Sequence, residues 1–279
     1  MMHSGGIQHA VSLAATSEWG VGGVARALYT PADEADATAF LAALRTDEPL
    51  LVLGQGSFMV VRDGGFPGMV MRTAGLDRVR EEDGGLYVEA GARCAQVAHA
   101  AARAQLGGYE WLAGVPGTIG GALMTHAGLD ELRVWDQVLA LQMLDRGGHA
   151  HRRSRESFGM GPVRAGGNRH AGETIAGVWL KPAEAALANV AGQLSGPRAI
   201  GQLFAAGDVA AVGACAEVLD GPVRLDRDSG QLHLDAGADA TALEAAIEQL
   251  CAAAGRRAGR DIACRLRFAG LPRDGMQHS

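Results

Sequence analysis

Gly114-Val115-Pro116-Gly117-Thr118-Ile119-Gly120-Gly121-Ala122 is the stretch whose reading decides the fold of this chain. Glycine adopts positive φ and admits close approach, so a loop this dense can turn several backbone N–H groups toward one anion. The apolar Ala122-Leu123-Met124 behind it adds a helix N-terminus that suits a pyrophosphate. About 60 residues earlier, Leu53-Gly54-Gln55-Gly56-Ser57 has the same character. It lacks the third glycine of the dinucleotide fingerprint and the Gly-Lys-Ser/Thr of a P-loop. Alone it reads either as a phosphate cradle or as a tight turn, and the second loop favours the cradle.

Outward from these loops, strand and helix signals alternate. Ala37, Phe40, Leu41 and Leu44 recur at helical spacing, predicting a helix over Asp33 to Arg45. Leu50 to Leu53 and Met69 to Met71 are short apolar runs around the turn-rich Asp63 to Gly68, a β-loop-β pattern. Leu86 to Glu89 predicts a strand and Cys94 to Gln105 a helix, followed by strands over Val138 to Leu144, His149 to Arg153 and Ile175 to Leu180. After Lys181-Pro182 the chain turns alanine-rich and helical from Ala183 to Leu219. A strand over Leu232 to Asp235, an amphipathic helix over Ala240 to Arg257 and a last strand over Ile262 to Phe268 complete the series. The class is α+β, with small domains in series.

The 279 residues are 48% apolar and 20% charged, a folded globular profile. The 41 glycines, about 15% against a usual ~7%, show no Gly-X-Y period, which excludes collagen. A net charge of −6 offers no general attraction to nucleic acid or an anionic membrane, leaving a small molecule as the expected partner. Cys94, Cys215, Cys251 and Cys264 have no C-x-x-C spacing, so neither zinc nor a dithiol motif is signalled. Met1 to Ala15 lacks a basic region followed by an apolar run, and no stretch of 18 apolar residues occurs, so a cytoplasmic location is expected. His149 and His151 share a predicted strand without a third ligand. The run from His151 to Arg155 reads as a solvated edge.

The order of motifs resembles the UDP-N-acetylenolpyruvoylglucosamine reductase family, flavin enzymes that complete UDP-N-acetylmuramate. The likeness rests on Trp19-Gly20-Val21-Gly22-Gly23 with Pro31 and on Gly54-Gln55-Gly56-Ser57 with Val61 to Gly68. Gly114 to Ala122 and Ala127-Gly128 carry it further. The resemblance implies an FAD-binding fold of the vanillyl-alcohol-oxidase type. Residues 1–76, joined by a C-terminal strand from 261–279, would form one flavin subdomain, and 77–182 a second. Residues 183–260 would form a smaller substrate domain. FAD would contact Gly54, Gln55, Gly56, Ser57, Phe58, Gly114, Pro116, Gly117, Thr118, Gly120, Gly121, Ala122, His126 and Gly128. Phe58 and His126 stand where the family usually has Asn. NADPH is the reductant that the resemblance suggests.

The family's chemistry uses an Arg and a Glu beside the substrate carboxylate and a Ser that supplies a proton. The Arg belongs to Phe-Gly-Tyr-Arg, where this chain has Phe158-Gly159-Met160-Gly161. The Ser position is Gln202, and the Glu position is Arg265, with no Glu after Glu248. Along a strand, Arg265 and Arg267 would share a face, where they either hold an anionic ligand or pair with nearby acids such as Asp261 and reach solvent. These changes at Gly161, Gln202 and Arg265 leave three readings. The chain is an oxidoreductase with an altered substrate, a non-catalytic flavin- or nucleotide-binding protein, or a true reductase whose active site has moved to residues such as Arg164 or Ser195.

Overall fold

A computed structural model of the chain describes residues 6–129, 132–158, 172–182, 203–227 and 230–272. In chain order these form β1 (Ile7–Ser12), β2 (Val24–Tyr29), α1 (Glu34–Ala43), β3 (Leu50–Leu53), β4 (Met59–Val61) and β5 (Phe66–Arg72). Next come β6 (Val79–Glu82), β7 (Gly85–Glu89), α2 (Cys94–Arg103), α3 (Ile119–Met124), β8 (Gly128–Leu129), β9 (Leu132–Arg133) and α4 (Val134–Gln137). Then follow β10 (Val138–Asp145), β11 (Ala150–Ser154), α5 (Arg155–Phe158) and β12 (Glu173–Leu180). The last described elements are α6 (Val209–Gly213), β13 (Val223–Leu225), β14 (Leu232–Leu234), α7 (Ala240–Ala258) and β15 (Arg267–Ala269).

The chain divides into two compact units. The first comprises Met1–His9, Ala27–Gln55 and Gly68–Gln193, and the second Ala10–Arg26, Gly56–Pro67 and Leu194–Ser279. In the first unit, β3 and β5 pair in parallel, with Leu50 opposite Met69 and Leu53 opposite Arg72, within a sheet ordered β1-β2-β5-β3. Helix α1 covers this region. Asp33 caps it by accepting from the Asp36 amide at 2.9 Å, so the helix begins at Glu34. Phe40 of α1 stacks on Tyr29 at 4.2 Å between centroids, in a core with Ala37, Leu41, Met69 and Met71. The other sheet is antiparallel in the order β11-β10-β12-β7-β6. Strand β7 is buried throughout, whereas β11 lies at the edge with its side chains alternately exposed. That is the solvated edge expected for the arginine run.

The second unit is built on α7. Leu243, Ile247 and Leu250 line its buried face and pack with Trp19, Val60, Phe204, Val212 and Leu232. Burial of each large aliphatic chain is worth roughly 1.5–3 kcal/mol. Two aspartates serve its N-terminus. Asp239 accepts from the Ala242 amide at 2.8 Å. Asp63 accepts from the amides of Ala240 at 3.1 Å and Thr241 at 2.8 Å, and from the Thr241 hydroxyl at 2.5 Å. Beside it, Arg62 grips Glu244 through Nε at 2.8 Å and Nη2 at 2.7 Å, a bidentate pair one turn into the helix. Gly259 ends α7 at φ +67°, a left-handed position natural to glycine.

Several sequence expectations shift. The terminal strand is Arg267–Ala269, paired in parallel with β4, rather than Ile262 to Phe268. Residues 262–266 instead take an irregular path that buries Ile262 and Leu266 and bonds the Arg265 amide to Leu203 O at 2.7 Å. Arg265 therefore lies outside the strand, so strand alternation does not set it on one face with Arg267. The helical run from Ala183 falls outside the described residues as far as Gln202. Beyond that point it yields α6 and short turns, not long helices. Gln105, expected to close α2, sits at φ +58°, past the helix end. Strand β1 was not legible because its IQHAVS sequence is almost entirely exposed and lacks a buried alternation.

Replacing Asp63 by Ala strands two helix-terminal amides and a hydroxyl, and is expected to lower unfolding stability by about 1–2 kcal/mol. Asp63→Asn, which keeps an acceptor, should lose less. Urea midpoints of the two variants and the parent check this, and an unmoved midpoint for Asp63→Ala would show that the cap contributes nothing.

Candidate functional site

Parallel pairing of β3 and β5 makes their carboxyl ends emerge together, with Leu53 opposite Arg72. Gly54 and Gln55 follow one strand and the turn Thr73–Gly75 follows the other. Loop 114–121 reaches the same place. Its Thr118 caps α3 by accepting from the Gly121 amide at 3.2 Å, and a Cβ on Gly54 would stand 2.6 Å from that same Thr118 oxygen. The two glycine loops therefore meet at a contact that only glycine permits.

Loop 114–121 is stitched to residues 90–94. Gly120 N donates to Ala90 O at 2.8 Å, Ile119 N to Ala92 O at 2.9 Å, and Cys94 N to Gly117 O at 3.1 Å. A Cβ on Gly120 would come within 2.9 Å of both Ala90 Cβ and Ala90 O. Gly117 is needed for its backbone, at φ +83°. Gly128 is needed for packing, since its Cβ would lie 1.9 Å from Leu132 O. Gly114 closes the 3-10 turn Glu110–Gly114, after which Pro116 leads into the loop. Ala122 is buried on α3. At Gly54, Gly120 and Gly128, then, glycine answers the crowding of neighbouring chain segments.

His126 has a structural account. Ala127 N donates to Ala122 O at 2.8 Å and His126 N to Leu123 O at 3.3 Å, the paired bonds of a Schellman cap. His126 occupies its left-handed position at φ +52°, where Asn or Gly is usual. Its ring stacks on Trp135 at 5.6 Å, and Trp135 Nε1 donates to Leu123 O at 2.7 Å.

In the second unit, Gly56 sits at φ +74°, where a Cβ would be 3.0 Å from Thr16 O. Ser57 O accepts from Trp19 Nε1 at 2.9 Å, whereas Ser57 Oγ is buried with no hydrogen-bond partner. An unpaired buried hydroxyl costs about 1–3 kcal/mol, and a ligand oxygen at that point would satisfy it. Ser57 thus fits a dinucleotide held by this loop. Phe58 packs against the second unit's core, and its carbonyl accepts from Arg267 N at 2.9 Å. Arg265 lies on the segment just before β15, while Gly161 and Gln202, like Arg164 and Ser195, lie outside the described residues.

The histidines do not form a pair. His149 precedes β11 and its Nδ1 meets Asp145 Oδ2 at 3.1 Å, while His151 Nε2 meets Glu173 Oε1 at 3.1 Å. Among the described residues no group of three metal-ligating side chains occurs, and no helix is long and apolar enough to cross a membrane. Burial pushes the Cys94 thiol up to about 12, so it stays protonated beside the loop it supports. Glu89, just before Ala90, is 4% exposed. Burial raises its carboxyl above the usual range, opposed by a hydrogen bond from the Arg78 amide.

The region at the ends of β3 and β5 contains residues no motif pointed to, namely Thr73, Ala90 and Gly91. The available signal was topological: residues that follow parallel neighbouring strands come out side by side.

Residues 25–154 match the FAD binding domain family. The chain is 46% identical over 156 residues to a UDP-N-acetylenolpyruvoylglucosamine reductase of Nitrosococcus oceani, covering 55% of this chain and 52% of the relative. With the Alkalilimnicola ehrlichii protein of the same name it shares 41% over 158 residues, covering 56% and 53%. The chain thus spans about half the length of the curated relatives it matches. In fold it is similar to the solved UDP-N-acetylenolpyruvylglucosamine reductase of Thermus caldophilus, with a TM-score of 0.71 at 24% identity, covering 95% of this chain and 99% of that one. The fold is α+β, the FAD-binding fold of the vanillyl-alcohol-oxidase type.

Gly120→Ala forces a methyl into Ala90 and is expected to cost about 1–3 kcal/mol. Gly207→Ala, where a Cβ meets nothing within 4 Å, should stay within about 0.5 kcal/mol of the parent. Equal denaturation midpoints for the two would contradict the packing argument.

Because the Glu89 value is raised on folding, the folded chain holds this proton where the unfolded chain has lost it. Its contribution is full below the ordinary carboxylate value of about 4.3 and is lost as pH rises through the raised value. Glu89→Gln keeps an acceptor for the Arg78 amide, so its melting temperature should exceed the parent's at neutral pH. That gap should close in acid, and a gap that widens in acid would rule out burial as the cause.

Proposed function

The chain belongs to the UDP-N-acetylenolpyruvoylglucosamine reductase family of FAD-binding proteins, and from that premise we propose that it is an FAD-dependent oxidoreductase acting on a different, anionic small molecule. The observation that carries the cofactor reading is the contact of Gly54 with Thr118. It brings two amide-rich loops, distant in sequence, to the carboxyl ends of a parallel strand pair, the usual ligand-binding end of such strands.

Bound FAD supplies reversible hydride transfer. The chain's own part is to hold it. The amides of Gly54, Gln55, Gly117 and Thr118 face the pyrophosphate, while those of Ile119, Gly120 and Gly121 hold the loop in shape. The domain division expected from the sequence belongs to this reading, as do NADPH as reductant, a cytoplasmic setting and independence from nucleic acid and membrane.

Charge points to an altered substrate. Arg265, where the family has a carboxylate, changes the local charge by two units, and its backbone is held by Leu203 O. A guanidinium there attracts an anion and cannot exchange a proton near neutral pH. Gly161 and Gln202 in turn supply neither the family's cation nor its hydroxyl. Such losses typically reduce rates ~10²-fold or more.

Anaerobic absorption spectroscopy of the FAD-reconstituted protein tests the reading. Bound-flavin bands that bleach with NADPH are expected. Reoxidation by UDP-N-acetylglucosamine enolpyruvate should run at least ~10²-fold below the ~10 s⁻¹ common among enzymes. Protein that stays colourless removes the cofactor, and flavin that NADPH leaves oxidised supports the non-catalytic reading. Turnover near ~10 s⁻¹ restores the family substrate.

A further inference from the structure

We propose that Thr73 is a further FAD-binding residue, whose hydroxyl donates a hydrogen bond to the bound dinucleotide; the proposal rests on the FAD reading above. Thr73 begins the turn directly after β5 and is 4% exposed, yet its Oγ1 has no hydrogen-bond partner. Its carbonyl is engaged. Leu76 N donates to Thr73 O at 2.8 Å, and a Cβ on Gly91 would fall 1.7 Å from that same oxygen.

The location is what makes the orphan hydroxyl informative. Thr73 abuts Gly91, its neighbour Ala90 abuts Gly120, Thr118 of the same loop abuts Gly54, and Gly54 follows Leu53, which pairs with Arg72 beside Thr73. These contacts close a ring of backbone within the first unit, and both glycine loops belong to it. Arg72 Nε, on the preceding residue, is likewise buried without a partner. A ligand oxygen beside Thr73 would satisfy its hydroxyl. A side chain needed only for packing would have no use for the hydroxyl, since Val has the same shape and avoids the desolvation cost.

Two substitutions separate cofactor binding from folding. Thr73→Val removes the hydroxyl and keeps the shape, while Thr73→Ser keeps the hydroxyl. FAD titrations of the apoproteins should show Val weakened by about 10-fold or more and Ser within about 3-fold of the parent. The Val apoprotein should melt no lower than the parent, because an unsatisfied polar group has been removed. Unchanged FAD affinity in Thr73→Val would overturn the proposal and leave the FAD reading standing. So would a Val apoprotein that melts well below the parent while Ser does not, since the hydroxyl then serves the fold. A parent protein without saturable FAD binding overturns both.

Discussion

The contact between Gly54 and the Thr118 hydroxyl is the constraint around which the candidate site is organised. Thr118 is held by its role as cap of α3, so it cannot move aside for a side chain at position 54. Gly54 is in turn held at the end of β3, whose parallel register with β5 is set by a buried apolar core. This close approach thus inherits its position from hydrophobic packing on one side and from a helix cap on the other. Either support alone would leave the two loops free to separate.

Glycine performs two different tasks in this molecule. At Gly117 and Gly56 the backbone adopts positive φ, which shapes the loop itself. At Gly54, Gly91 and Gly120 the missing Cβ lets neighbouring segments touch. The second task is energetic as much as geometric, because close approach lets Gly120 N and Ile119 N bond to Ala90 and Ala92 as an added strand would. A loop stitched in this way presents its remaining amides with little conformational entropy left to lose on binding.

The second unit applies the same logic to a helix. Asp63 and Arg62, from the segment after β4, fasten α7 at its N-terminus and at Glu244. The chain then returns through β15 to pair with β4 and to engage the Phe58 carbonyl. The residue following Ser57 is thereby anchored to the unit's core, which restrains the loop that carries the orphan hydroxyl. Phe58, partly buried, packs against that core.

Local chemistry was legible in the sequence by itself. Short apolar runs and strand-period stretches located β3, β7, β10 and β12, helical spacing located α1, α2 and α7, and the dense glycines located the loops that carry the resemblance. Those signals depend only on neighbours in the chain, so they survive without a structure. Tertiary structure decided what no local pattern encodes. Terminal strand β15 begins at Arg267 because Ile262 and Leu266 are drawn into the core. His126 serves as a helix cap because the chain beyond α3 turns through a left-handed residue. Thr73, which follows its strand with no motif around it, stands beside Gly91 and the two loops only because parallel pairing brings the ends of β3 and β5 together. Contacts between residues far apart in sequence depend on where the core forces the backbone to go, and single residue types carry little record of that.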